Sequence, residues 1–109
     1  MTKIGPFTFD PGQPWADAFR VTLRGMTAML DAREFDLLET FASARGVVTY
    51  GELRELTGAN TDKQARQRVV SLREKIELAW DFAYTIDCES GEGYALRKIE
   101  KPEWLEVRE

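Results

Sequence analysis

Residues 62–77, DKQARQRVVSLREKIE, hold the side chains with the clearest chemistry in this 109-residue chain. Lys63, Arg66, Arg68, Arg73 and Lys75 stand among Asp62, Glu74 and Glu77, a balance of +2, whereas residues 1–61 carry −2 and residues 78–109 carry −4. The same segment repeats apolar residues at helical spacing. Ala65, Val69, Leu72 and Ile76 fall at i, i+4, i+7 and i+11, within roughly 60° of one another around a helix. Lys63, Gln67, Val70, Ser71 and Glu74 then face away from the core, with Arg66 and Arg73 on one flank and Arg68 and Lys75 on the other. Such a face suits phosphates and base edges: Gln67 matches an adenine edge, Arg66 or Lys63 a guanine, and Arg73 a backbone phosphate. The charges equally suit a solvated surface helix. Asp62 precedes Arg66 by four residues and Arg73 precedes Glu77 by four, a spacing at which surface charges pair for a few tenths of a kcal/mol.

Other chemistries lack their residues. The chain has no histidine, which excludes Ser-His and Cys-His catalysis and most zinc sites. It has no Walker loop and no Gly-x-Gly-x-x-Gly. With 19 acidic residues, a pair of carboxylates is no sign of a hydrolase. The expectation is a protein that is not an enzyme, with no cofactor, no metal and no small-molecule substrate. Its one cysteine, Cys88, excludes an internal disulfide and has no basic neighbour to activate it, so it reads as an inert strand residue in a reducing compartment. No apolar run is long enough for a membrane span or a signal peptide, which makes the cytoplasm the expected location. At 43% hydrophobic and 31% charged, the chain reads as one globular domain over 1–109, with its core at about 7–98 and a polar tail at 99–109.

The elements that must position the basic segment follow from period and punctuation. Residues 7–9 (FTF) alternate, and Pro11, Gly12 and Pro14 break the chain after them. Residues 19–25 alternate again, and Gly25 turns the chain into 26–30, giving a small antiparallel sheet. Asp31 with Glu34 has capping-box spacing and opens a helix with Phe35, Leu38, Phe41 and Ala42 inward, stopping near Gly46. Residues 47–49 are short and extended. Thr49 with Glu52 opens a brief second helix with Leu53 and Leu56 inward, ended by Gly58, and Thr61 with Gln64 opens the third. Residues 82–87 and 93–98 then make a hairpin around Gly91 and Gly93, both placed where a tight turn asks for positive φ. The hairpin is acidic, with Asp87, Glu89 and Glu92 preceding its first cation, Arg97. Trp80 reads as core, and Trp104, in the charged tail, as a dimer or partner contact.

This order of elements, with its motifs, resembles the effector domain of the OmpR/PhoB-type response regulators over roughly residues 7–97. Leu30, Glu34, Phe35, Leu37 and Leu38 match that family's first-helix start, and Gly46, Thr49 and Leu53 its joint to the second helix. Leu72, Arg73, Glu74, Lys75 and Ile76 echo the third-helix ending, and Ser90, Gly91, Glu92, Gly93 and Tyr94 the wing ending. The resemblance implies an α+β winged helix-turn-helix with an N-terminal antiparallel sheet, three helices and a C-terminal hairpin wing. It further implies a transcriptional regulator that binds double-stranded DNA through the third helix, about 62–77, in a major groove. Lys63, Arg66, Gln67, Val70, Ser71 and Arg73 are the expected contacts, with Ser90, Gly91 and Gly93 in the wing. Three departures qualify the likeness. Ser71 stands where the family often has a base-reaching arginine, Ser90 where it has a minor-groove arginine, and the joint between second and third helices is reduced to about residues 58–61. With no receiver domain ahead of it, the chain is expected to act as a stand-alone regulator, as a dimer or beside a protein partner. The alternative is a protein-interaction module whose acidic wing and tail bind a protein rather than DNA.

Overall fold

The computed structural model describes residues 2–12, 19–44, 46–89 and 91–99. Strands β1 (Thr2–Ile4), β2 (Phe7–Asp10), β3 (Phe19–Leu23) and β4 (Met26–Leu30) form an antiparallel sheet in the order β1-β2-β3-β4. Side chains two apart share a face, so Phe7, Phe9, Val21, Leu23, Ala28 and Leu30 all point into the core. The register pairs Phe9 with Val21 and Val21 with Ala28, aligning these apolar rows across the sheet. Strand β1 adds an edge that alternation did not announce. It has three residues, its Thr2 and Lys3 are exposed, and the turn to β2 uses Gly5 at φ 58°.

Helix α1 (Ala32–Ser43) opens with a complete capping box. The Asp31 carboxylate accepts the Glu34 N–H at 2.8 Å, and the Glu34 carboxylate accepts the Asp31 N–H at 3.0 Å. After β5 (Val48–Thr49), helix α2 (Tyr50–Thr57) opens with a second complete box between Thr49 and Glu52, and ends at Gly58 with φ 70°. Helix α3 (Asp62–Ala79) differs: Thr61 caps Gln64 N–H at 3.2 Å, but the Gln64 side chain accepts from Asn60 N–H at 2.9 Å. The third box is therefore half a box, its return bond shifted one residue upstream.

Helix α3 runs past residue 77, and the following strand starts later than residue 82. Asp81 and Phe82 take left-handed conformations, φ 52° and 58°, and Phe82 N–H returns to Glu77 C=O at 2.7 Å. This reversal takes in Phe82, which the sequence reading assigned to the strand. Strands β6 (Tyr84–Glu89) and β7 (Gly93–Lys98) then form the hairpin, and β5 adds to it in the order β5-β7-β6.

Both sheets and all three helices share one core. Trp80 is fully buried, stacks on Phe7 at 5.1 Å, and donates its indole N–H to Val21 C=O at 3.3 Å. That bond satisfies the buried indole and ties the end of α3 to the N-terminal sheet. Gly91 has the positive φ expected of it, 75°. Gly93 does not. A Cβ there would lie 2.0 Å from the Val48 carbonyl oxygen, so its glycine serves the close approach of β5 to β7 rather than a turn.

Candidate nucleic-acid interface

Helix α3 presents two faces as its periodicity requires. Ala65, Val69, Leu72 and Ile76 are each 0% exposed, while Lys63, Gln67, Ser71 and Glu74 on the opposite side are exposed. Arg66 and Arg68 are exposed on the flanks. Two expected contacts are less open. Val70, placed on the outward face, is half-buried, because at about 140° around the helix from Ala65 it lies at the margin of that face. Arg73 is also half-buried.

The carboxylates that spacing offered to these arginines go elsewhere. Asp62 pairs with Arg54 of α2 at 2.9 Å instead of Arg66, and Glu77 accepts from the Thr85 hydroxyl at 2.6 Å instead of from Arg73. Lys75 pairs with Glu34 of α1 at 2.7 Å. Among the described residues, Lys63, Arg66, Arg68 and Arg73 form no ion pair. Tertiary partners on a neighbouring helix and strand thus replace the local i,i+4 pairs.

Arg66 lies instead beside two phenols, those of Tyr50 and Tyr94. The Tyr50 hydroxyl favours the charged guanidinium and, with a smaller contribution from Tyr94, raises its pKa above the ordinary arginine value. Tyr50 is the first residue of α2, and its ring meets Tyr94 of β7 edge-on, centroids 5.9 Å apart. Burial raises the Tyr94 pKa, and the Tyr50 hydroxyl adds to the shift. The start of α2, the flank of α3 and the tip end of the hairpin thus meet around one cation. Tyr50 escaped sequence reasoning, because only the packing of three elements brings it to Arg66.

The wing is real and its acidity is partly neutralised. Arg97 binds Glu89 through two hydrogen bonds, the Nε–H to Oε2 at 3.0 Å and the Nη2 group to Oε1. The Glu92 carbonyl accepts Tyr50 N–H at 3.3 Å, which anchors the tip region to α2. Gly91 is exposed at the turn and Gly93 is buried against β5. Ser90 and Trp104 lie outside the described residues. Cys88 is exposed on β6. Among the described residues, no three His, Cys, Asp or Glu side chains gather where a metal ion could be held, and no helix is long and apolar enough to cross a membrane.

A four-stranded antiparallel sheet, three helices and a terminal hairpin backed by a short strand define the winged helix-turn-helix class. The DNA-binding domain of E. coli CadC has a similar structure, with a TM-score of 0.66 and 20% sequence identity over 89% of this chain and 91% of that domain. At that identity the likeness is one of fold. No family model matches the sequence, and no curated protein matches it.

Proposed function

We propose that the chain is a DNA-binding transcriptional regulator of the winged-helix class, with α3 in a major groove. The reading rests on the outward face of α3. Lys63, Gln67 and Ser71 are exposed there, and the flanking Arg66 and Arg68 have no carboxylate partner among the described residues. Lys63 and Arg66 address base edges or phosphates, Gln67 a base edge, Ser71 a hydroxyl contact, and Arg73 a phosphate. A net charge of −4 and one modest basic helix give weak non-specific attraction, so the chain binds as a homodimer, which would double the phosphate contacts, or beside a protein partner.

Fluorescence anisotropy against mixed genomic duplex fragments, titrated from low to physiological salt, tests it. Binding that falls steeply with salt and is lost in Lys63→Ala/Arg66→Ala is the expected result. Absence of binding at low salt overturns the reading. That outcome favours the alternative, a protein-interaction module, whose support is the wing: its Arg97 is engaged by Glu89, which leaves Asp87 and Glu92 as exposed negative charges.

A further inference from the structure

A second group of cations borders α3 on the flank away from Arg66, and one of them comes from a different helix. A cleft of about 190 Å³ lies between the N-terminal turn of α1, the end of α2 and α3, lined by Arg33, Arg68, Ser71 and Lys75 together with Asp31 and Glu34. Both carboxylates are already engaged. Asp31 accepts the Glu34 N–H at 2.8 Å, and Glu34 accepts the Asp31 N–H at 3.0 Å and the Lys75 ammonium at 2.7 Å. Arg33 reaches across to the end of α2, where one Nη1–H donates to Thr57 C=O at 3.2 Å. The single bond to Thr57 leaves most of the five guanidinium N–H donors open. Arg68 and Ser71 are exposed and border the same cleft.

We infer that Arg33 and Arg68, with the Ser71 hydroxyl, bind a DNA backbone phosphate in this cleft. The inference rests on the placement of α3 in a major groove. A helix lying there has a phosphodiester strand along each flank, and here Arg66 serves one flank while Arg68 and Arg33 serve the other. Arginine suits the task because its planar fork holds phosphate oxygens in pairs. Helix α1 thereby joins the DNA surface, a role that no periodicity within α3 could disclose.

The test measures duplex affinity against salt for the full chain and for Arg33→Gln, Arg33→Lys and Arg68→Gln. A phosphate contact weakens binding evenly across sequences when removed, and makes the slope of log K against log salt shallower by about 1. Arg33→Gln and Arg68→Gln should both show this, while Arg33→Lys keeps the wild-type slope. A wild-type slope in Arg33→Gln overturns the cleft and leaves the α3 reading standing. An Arg33→Lys slope as shallow as that of Arg33→Gln also overturns it, since the loss then belongs to the bond with Thr57 rather than to charge. Failure of the wild-type chain to bind at low salt is a different result and removes the DNA reading itself.

Discussion

Single residues here act through what surrounds them more than through their type. Arg66 and Arg73 have carboxylates four residues away in sequence, yet those carboxylates are held by Arg54 and Thr85. The consequence is an exposed Arg66 with no ion pair among the described residues, beside the Tyr50 and Tyr94 phenols. Gly93 carries the opposite lesson. Its neighbour is a backbone carbonyl rather than a mobile side chain, so a methyl group cannot be accommodated by a rotamer change. Gly93→Ala should therefore force β5 and β7 apart and cost about 3 kcal/mol, the upper part of the range for overpacking. Equilibrium urea unfolding would measure this, and a change below 1 kcal/mol would refute the close approach. Gly91→Ala supplies the comparison, because that position has open space and only a positive φ to strain it.

At the scale of elements, the three helix starts are not equivalent. The boxes at Asp31 and Thr49 satisfy two backbone donors each, whereas Thr61 and Gln64 satisfy one at the cap and one a residue earlier. Thr49 also begins the segment that supports Tyr50 and, through it, the position of Arg66. Thr49→Ala should lower stability by about 1 kcal/mol, as loss of an N-cap generally does. Circular dichroism thermal melts would read the change, and an unaltered melting temperature would show that the cap contributes nothing. The hairpin illustrates a different dependence. Strand β6 begins only after Asp81 and Phe82 have reversed the chain in left-handed conformations, so the exit of α3 sets where the wing starts.

The whole molecule sets a negative field against a local positive face. The charge of −4 opposes approach of a polyanion, so the proposed DNA surface has to draw its attraction from the cations of α3 and, through Arg33, of α1. Glu92 is exposed beside the wing tip, and its backbone carbonyl is fixed to the start of α2. If the wing tip lies near DNA in the complex, Glu92→Lys should tighten duplex binding and steepen its salt dependence by about one phosphate contact. Anisotropy at several salt concentrations would measure both quantities. An unchanged slope would place the wing away from the duplex and favour a protein partner for it.

Local pattern by itself determined most of the architecture: the alternating strands, two complete capping boxes, the period of α3 and the glycine turn at residue 91. These are legible because each depends on residues within a turn or a strand of one another. The inward row Ala65, Val69, Leu72 and Ile76 follows from period alone, and so does the outward position of Lys63, Gln67 and Ser71. Tertiary structure decided the rest. Strand β1 exists through pairing with β2, the extended segment at 47–49 found its partner only in β7, and the need for glycine at 93 comes through the Val48 carbonyl. Which arginines keep their charge unpaired, and whether Arg33 belongs to the same surface, depend on partners between 8 and 41 residues away. Electrostatic pairing responds to distance in space, and distance in space is what folding supplies.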